Sequence, residues 1–499
     1  MKRLIAAALA VLSLAGAACA QERPTVATAS GPVAGVSDGG LSVFKGIPFA
    51  APPVGPLRWQ PTAAPAPWTS PLDASAFGAI CPQPPRPDGL AAMGADRQQS
   101  EDCLTLNIWA PKAAHGAPVM VWIHGGAFRL GSGGGPIYDG AAFAHDGVIL
   151  VSINYRLGAL GWFAHPALTR AAAPTAPLAN YGLMDQMAAL KWVQANIAAF
   201  GGDPANVTVF GESAGGSSVL ALLSTPSAKG LFAKAIVESG GGWQQPATLA
   251  AAETAGADMA TRAGLPGKDA TLEALRALPP EKLFDAKAGL GAVGPIRDGR
   301  LLSLTPAEAF ASGRAIDVPL IIGSNSFEAS LMKAFPVNQA AALARMTPDQ
   351  KAAYSVLPSD DARLAAAFTD QVMGAPARWV AGKASTGAPS WLYYFSYVAG
   401  MQRDRLPGTQ HGGEILYVFA NGSKLFGRLL SDEDRAVEAL AHSCWVGFAK
   451  TGVPACKDAT WPAYTPTDDR LMEFGVASGV RQHLRRSFLD ADEKAFGLR

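Results

Sequence analysis

The chain carries little charge and almost no excess of either sign. Of its 499 residues, 16% are Asp, Glu, Lys or Arg, and the formal net charge is +1 at pH 7. Proteins that bind nucleic acid through electrostatics need a basic patch, which appears in the sequence as a strongly positive balance. The composition therefore argues against a nucleic-acid partner. The 49% share of hydrophobic residues instead predicts a large buried core.

Sequence patterns that bind metals or phosphate are also lacking. The chain contains no H-E-x-x-H pair and no G-x-x-x-x-G-K-[ST] loop. Its seven histidines and five cysteines do not cluster at the spacing of metal ligands. We therefore expect a protein that works without a metal or a cofactor.

A single long apolar run stands at the N-terminus. Lys2 and Arg3 precede an apolar stretch at residues 4–18, and Ala-Cys-Ala at 18–20 follows as a small-x-small site. This order is typical of a secretory signal peptide, and the stretch is too short to span a membrane comfortably. Elsewhere no segment reaches spanning length without charges or turn residues. We therefore expect a periplasmic or secreted protein without stable membrane insertion.

Cys19 allows a second interpretation of the leader, as the lipid-bearing cysteine of a lipoprotein. Gly16 stands three residues before it, where such sites usually have a large aliphatic side chain. We therefore favour a cleaved signal peptide at residues 1–20 and a mature chain of residues 21–499. We expect that chain to form one domain, because its motifs run across its whole length.

The four cysteines after the leader form an even set in an exported protein, which predicts disulfides. Four cysteines allow three pairings. The simplest joins neighbours in sequence, Cys81 with Cys103 and Cys444 with Cys456. Buried free thiols remain the alternative for both pairs.

The sequence at residues 206–223, NVTVFGESAGGSSVLALL, predicts a strand, a tight turn and a helix. The turn G-E-S-A-G matches the G-x-S-x-G pattern, which exposes its serine above the strand end and beside a helix N-terminus. Free N–H groups there favour the negative charge that a carbonyl oxygen gains under attack. Ser213 is therefore the candidate nucleophile, and a glycine-rich turn with an idle serine is the alternative.

Two nearly continuous apolar runs, at residues 119–123 and 148–153, are typical of strands buried on both faces of a mostly parallel sheet. The first run is followed by His-Gly-Gly-Ala-Phe. Consecutive glycines at a strand's carboxyl end let backbone N–H groups point at a ligand. We therefore predict an oxyanion hole formed by the N–H groups of Gly125, Gly126 and Ala214, with a simple glycine turn as the alternative.

Two carboxylates compete for the role of the acid that orients a catalytic histidine. Glu328 follows a short apolar strand predicted at residues 318–322, which is where such an acid is expected. Asp298, in the turn PIRDGR, has no strong strand directly before it. The sequence therefore favours Glu328, although most glutamates are solvated surface residues.

Three histidines follow the serine and the acid, the chain order expected for this arrangement. His411 lies in a glycine-bearing loop after a strand predicted at residues 391–397, a setting suited to proton transfer. His442 lies in an apolar helical pattern, and His483 lies among arginines. His411 is therefore the candidate base.

Several long motifs resemble those of the type-B carboxylesterase family, over nearly the whole mature chain. They are FKGIPFAAPPVGPLRW at 44–59, SEDCLTLNIWAP at 100–111, HGGAF at 124–128, NYRLGALGWF at 154–163, DQMAALKWVQANIAAFGGDPANVTVFGESAGG at 185–216 and WPAY at 461–464.

The resemblance implies an α/β-hydrolase fold, a large mostly parallel sheet flanked by helices. The helical, alanine-rich pattern of residues 328–388 itself predicts a cap or flank over that sheet. The resemblance also implies a serine hydrolase that cleaves small carboxylic esters through an acyl-enzyme. The alternatives are a lipase, an amidase or a lactonase with the same site, and a non-catalytic interaction protein of the same fold. Ala329 departs from the glycine that the family commonly has after the acid. The implied residues are Ser213 as nucleophile, Glu328 as acid, His411 as base, Gly125, Gly126 and Ala214 as oxyanion donors, and Cys81 and Cys103 as a disulfide.

Overall fold

A computed structural model describes residues 23–85, 94, 97–284, 291 and 293–498. The expected signal peptide at residues 1–20, including Cys19, lies outside the described residues. Within the described part of the chain, no helix is both long and apolar enough to cross a membrane.

An eleven-stranded sheet forms the centre of the fold, in the order β16-β15-β14-β13-β10-β9-β7-β8-β6-β4-β3. Its inner strands, from β15 to β8, pair in parallel, and the strands toward both edges pair antiparallel. Strands β1, β2 and β5 form a small separate sheet, and β11 pairs with β12. The strands are β1 Thr25–Thr28, β2 Gly31–Ala34, β3 Val36–Asp38, β4 Leu41–Pro48, β5 Leu72–Asp73, β6 Thr105–Pro111, β7 Ala117–Ile123, β8 Ile149–Ile153, β9 Gly202–Glu212, β10 Lys234–Glu238, β11 Ala247–Thr248, β12 Ile296–Arg297, β13 Leu320–Asn325, β14 Ser390–Phe395, β15 Arg470–Phe474 and β16 Gly479–Gln482.

Helices pack on both faces of this sheet. Short 3-10 turns join many of them, and a π-helical turn at Asp370–Gly374 links α11 to α12. The α-helices are α1 Ala141–His145, α2 Gly158–Gly161, α3 Pro166–Ala171, α4 Tyr181–Asn196, α5 Ala214–Leu223, α6 Leu249–Arg262, α7 Leu272–Arg276, α8 Pro306–Ala311, α9 Gln339–Ala344, α10 Pro348–Tyr354, α11 Asp360–Thr369, α12 Ala375–Ala384, α13 Ile415–Val418, α14 Gly422–Phe426, α15 Asp432–Thr451 and α16 Arg486–Ala495.

Burial on both faces explains why the central strands are apolar without alternation. In β7, Val121 and Ile123 face the core shared with α4, α5 and α12, whereas Met120 and Trp122 face the core shared with α13 and α15. Because side chains alternate along a strand, a strand covered on both sides needs apolar residues at every position. The predicted fold class is confirmed.

The predicted strands and helices are present, with shifted bounds. The helical pattern at residues 181–200 forms α4 and then a 3-10 turn, Ile197–Phe200. Gly201 ends the turn in the left-handed region, with φ at 86°. Strand β9 begins directly afterwards at Gly202, earlier than its apolar run predicts, because Gly202 pairs with Ala117 of β7.

The segment at residues 328–388 is helical as expected. Its last helix, α12, packs directly on β13 and β14 and therefore flanks the sheet. Two disulfides are present, Cys81 to Cys103 and Cys444 to Cys456. The second joins α15 to the loop that follows it.

Candidate active site

Ser213 stands at a sharp turn between β9 and α5. Its backbone adopts φ 57° and ψ −119°, a strained conformation for a residue with a side chain. The turn requires small neighbours because β7 passes close to it. A Cβ on Gly215 would lie 1.9 Å from the carbonyl oxygen of Ile123, and one on Gly211 would lie 2.6 Å from the same atom. The glycines of the motif therefore allow the strand–turn–helix geometry that lifts Ser213 above the sheet.

The structure brings Ser213, His411 and Glu328 together at the carboxyl edge of the sheet. His411 Nε2 lies 2.7 Å from Ser213 Oγ, and His411 Nδ1 lies 2.5 Å from Glu328 Oε2. The serine hydroxyl donates to Nε2 when the imidazole is neutral, and Nδ1–H donates to the carboxylate. One imidazole thus connects a hydroxyl to a carboxylate through continuous hydrogen bonds.

Glu328 is held rigidly at the end of β13, where it is fully buried. Its Oε1 accepts hydrogen bonds from Ser239 Oγ at 2.5 Å and from the backbone N–H of Asn325 at 2.7 Å. His411 is held by its own backbone N–H, which donates to Ser330 Oγ at 2.9 Å. These bonds position the carboxylate and the imidazole independently of any substrate.

The glycine loop after β7 lies against the serine. A Cβ on Gly125 would lie 3.2 Å from Ser213 Cβ, so the loop backbone adjoins the Ser213 side chain. Gly126 has φ 110°, a conformation that favours glycine. Ala214 is the first residue of α5, where N–H groups have no intrahelical acceptor. The loop at Gly125 and the N-terminus of α5 therefore lie beside Ser213.

The loop is stiffened by a buried histidine. His124 Nδ1–H donates to the carbonyl oxygen of Gly125 at 2.8 Å, and the His124 ring stacks on Tyr155 at 4.5 Å. The Tyr155 hydroxyl donates to the His124 carbonyl oxygen at 2.8 Å. Burial lowers the pKa of His124 to about 4, and the hydrogen bond to Gly125 only partly opposes this shift. His124 is thus a neutral structural residue at neutral pH.

The rival candidates lie elsewhere and have structural partners. Asp298 accepts backbone N–H groups from Leu178, Leu301 and Leu302 and so closes a turn. His442 is buried in α15, where Nδ1–H donates to the carbonyl oxygen of Val418 at 2.7 Å.

His483, the third histidine, lies beside Asp469 and Arg486, near the C-terminus. Of the candidate bases, only His411 contacts Ser213 among the described residues.

Glu212, which the sequence analysis did not select, is a second carboxylate beside the imidazole. Its Oε1 lies 3.1 Å from His411 Nε2, at an angle that makes no hydrogen bond. The pKa of Glu212 is raised to about 7, mainly by burial. The positive charge of His411 opposes this rise, and the negative charge of Glu328 adds to it. The only sequence signal for this contact is its place next to Ser213 in the motif.

Two more buried carboxyl groups, Glu238 and Glu414, interact electrostatically with Glu212. Burial raises the pKa of Glu238 to about 8, and burial together with Glu212 and Glu238 raises that of Glu414 well above its usual range. Trp445 Nε1–H donates to Glu238 at 2.8 Å, and Asn325 donates to Glu414. Adjacent carboxylates in a dry interior cannot all be ionised, so this cluster binds protons near neutral pH.

The pKa of His411 reflects these neighbours. Burial alone lowers the pKa of the imidazole, but the charges of Glu212 and Glu328 outweigh burial and raise it to about 10. The two carboxylates lie at opposite nitrogens of the ring. The site therefore strongly favours a positive charge on His411.

A cavity of about 780 Å³ opens at Ser213. Apolar side chains make up most of its described lining, including Phe128, Trp162, Phe163 and Met259. This size and lining are typical of sites that hold a drug-sized organic ligand. Within the described ranges, no group of three or more His, Cys, Asp and Glu side chains is arranged to hold a metal ion.

Comparison with known proteins gives a consistent result. A family model described as the carboxylesterase family matches residues 22–357 and 357–491. Para-nitrobenzyl esterase of Bacillus subtilis (strain 168) is 38% identical over 465 residues, which cover 88% of this chain and 92% of that protein. Fumonisin B1 esterase of Sphingopyxis macrogoltabida is 39% identical over 486 residues, covering 92% of this chain and 87% of that protein.

Solved structures give the same answer. A PNB esterase structure superposes with a TM-score of 0.81 at 34% identity, covering 94% of this chain and 100% of the other. The carboxylesterase EST55 of Geobacillus stearothermophilus at pH 6.2 has a TM-score of 0.82 at 34% identity, with the same coverage. The chain therefore belongs to the carboxylesterase family and is a carboxylic ester hydrolase with the α/β-hydrolase fold.

Proposed function

We propose that the chain is an exported serine esterase that cleaves carboxylic esters through an acyl-enzyme intermediate. Ser213 is the nucleophile, His411 the general base and Glu328 the acid that orients it. The observation that carries this proposal is the continuous hydrogen bonding from Ser213 Oγ through the His411 ring to Glu328.

In the first step, His411 Nε2 takes the proton of Ser213 while Oγ attacks the ester carbonyl carbon. The carbonyl oxygen becomes negative and is stabilised by the N–H groups of Gly125, Gly126 and Ala214. His411 then gives its proton to the leaving alkoxide. The alcohol departs, and the acyl group stays on Ser213.

In the second step, His411 takes a proton from water, and the resulting hydroxide attacks the acyl carbon. The carboxylic acid leaves and Ser213 regains its proton from His411. In each step the imidazole becomes positive for part of the cycle. The carboxylate of Glu328 stabilises that charge, and its bond to Nδ1 keeps Nε2 directed at the serine.

The site favours uncharged small-molecule esters as substrates, since the cavity is largely apolar and opens at Ser213. Two relatives are named para-nitrobenzyl esterase and fumonisin B1 esterase, which supports an ester as the substrate. We further propose that residues 21–499 form one exported domain. The two disulfides support export because disulfides persist in oxidising compartments.

Hydrolysis of p-nitrophenyl acetate and butyrate by the Ser213→Ala variant tests this proposal. We expect kcat to fall by roughly 10⁴-fold or more, because loss of the nucleophile removes the covalent route. Ser224→Ala, at the C-terminal end of α5 and outside the residues that line the cavity, is the matched control and should keep its activity. Retained turnover in a folded Ser213→Ala protein would defeat the mechanism.

A further inference from the structure

The cavity at Ser213 extends along helix α6. Residues from Ala251 to Arg262 line it. At a rise of 1.5 Å per residue, this wall is about 16 Å long. A short acid or alcohol would occupy only a fraction of that length.

The part of α6 that faces the cavity carries small side chains. We call Ala251, Ala252, Ala255 and Gly256 the α6 face. All four line the cavity and recur at helical spacing, which places them on one side of the helix.

Close packing explains the glycine of the α6 face but not its alanines at 251 and 255. A Cβ on Gly256 would lie 1.9 Å from the carbonyl oxygen of Ala164, so that position must be glycine. Ala251 and Ala255 are exposed and line the cavity. A larger side chain at either position would therefore enter the space available to substrate.

The walls away from the α6 face are apolar and large. Phe128, Trp162, Phe163 and Leu220 are each at least 92% buried and line the cavity. Polar side chains such as Gln244 lie at the exposed rim. Such a groove binds apolar surface along its length.

Charged residues do not select a charged substrate here. Arg129, Asp258 and Arg262 line the cavity with mixed signs. Arg129 lies over the ring of Phe335 at 5.5 Å, and Arg262 has partners within the protein. The groove therefore suits a substrate whose long part is neutral.

We propose that the α6 face sets the substrate class of this esterase, namely esters that carry one long, uncharged, apolar group lying along α6. This inference rests on the proposed function. Each methylene buried against the groove contributes about fourfold to binding. The gain appears in kcat/KM if the group is also bound in the transition state.

Two substrate series test this proposal and identify the side of the ester that carries the long group. The acyl series is p-nitrophenyl acetate, butyrate and octanoate. The alcohol series is ethyl, butyl and octyl acetate, followed by titration of the released acid. For the wild type we expect kcat/KM to rise about tenfold or more with length in one of the two series.

The Ala255→Leu variant places a larger side chain in the groove. We expect it to lose about tenfold or more of kcat/KM on the long ester while short esters stay within about twofold. Ala250→Leu, on the same helix but outside the cavity lining, should have the wild-type kcat/KM on both long and short esters. If thermal unfolding shows Ala255→Leu to be misfolded, Ala251→Leu carries the same expectation.

The outcomes separate this inference from the proposed function. The inference is wrong if chain length has no effect on kcat/KM in either series. It is also wrong if the α6-face variant lowers kcat/KM by the same factor on long and on short esters. In either case Ser213-dependent hydrolysis of p-nitrophenyl acetate still supports the esterase. If the Ser213→Ala variant keeps its activity on that acetate, the proposed function fails.

Discussion

Glu212 Oε1 lies 3.1 Å from His411 Nε2, so a second carboxylate faces the nitrogen that is hydrogen-bonded to Ser213 Oγ. Glu328 holds the other nitrogen of the same ring. The charges of Glu212 and Glu328 both raise the pKa of His411, so each carboxylate stabilises the imidazolium that the proposed mechanism forms.

Glu212→Gln should change the pH profile of the enzyme. The charge of Glu212 raises the pKa of His411, so its removal lowers that pKa and the neutral imidazole persists in more acidic solution. We expect the acid limb of kcat/KM to move to lower pH. The plateau should fall by roughly tenfold, since the imidazolium loses one charge contact.

Profiles of p-nitrophenyl butyrate hydrolysis from about pH 5 to 11, with the spontaneous hydrolysis subtracted, check this shift. Glu433→Gln, at the surface beside Arg403, is the control and should keep the wild-type profile. An acid limb that stays in place or moves to higher pH in Glu212→Gln would contradict the assignment.

Glu328→Gln should lower kcat by roughly 10³- to 10⁴-fold, because an amide neither stabilises the imidazolium nor holds the correct tautomer of His411. Asp298→Asn should keep kcat within about twofold. It should instead lower stability by about 1–3 kcal/mol, because Asp298 accepts buried backbone N–H groups. Steady-state kinetics and thermal unfolding of both variants measure this contrast, and the opposite pattern would make Asp298 the acid.

Glu238→Gln should make stability less dependent on pH. Burial raises the pKa of Glu238 from 4.5 to about 8, so the folded protein holds a proton that the unfolded chain releases. For a group with a raised pKa, the stability contribution is complete below pH 4.5 and is lost as pH rises through about 8. The variant should therefore gain Tm relative to the wild type above pH 8, and a constant Tm difference from pH 5 to 9 would refute this.

The disulfide between Cys444 and Cys456 closes a loop with a sequence separation of 12. Removing it should lower stability by about 3 kcal/mol in the chain-entropy description. The double variant Cys444→Ala/Cys456→Ala should unfold at a Tm a few degrees lower, while kcat/KM stays within about twofold. Calorimetry with and without reductant checks this. If Tm is unchanged by both substitution and reductant, the crosslink is absent from the folded protein.

Local patterns predicted much of the fold because the physics behind them is local. The apolar runs of β7 and β8 signal burial on both faces, and the glycines around Ser213 signal a turn that tolerates no larger side chain. The bounds of β9 were missed because its first residues form a strand only through pairing with β7. Pairing depends on a distant segment and leaves no mark in local composition.

The candidate site divides in the same way. Ser213, Glu328 and His411 were selected by motif, strand end and chain order, and the His411 ring lies within hydrogen-bond distance of both Ser213 and Glu328. Their catalytic roles stay predictions for the variants above to test. Glu212 and Glu238 were not selected, because the sequence around a glutamate does not show whether its side chain is buried.

The sequence by itself determined the family, the α/β-hydrolase fold and the candidate catalytic residues, because strand periodicity, turn glycines and long motifs are written in neighbouring positions. Only the tertiary structure decided that Glu212 faces His411, that carboxyl groups share a dry interior behind the serine, and that α6 walls the cavity. These relationships join residues from separate elements. Distance and burial set their pKa values and the space for substrate, and both arise only when the chain packs.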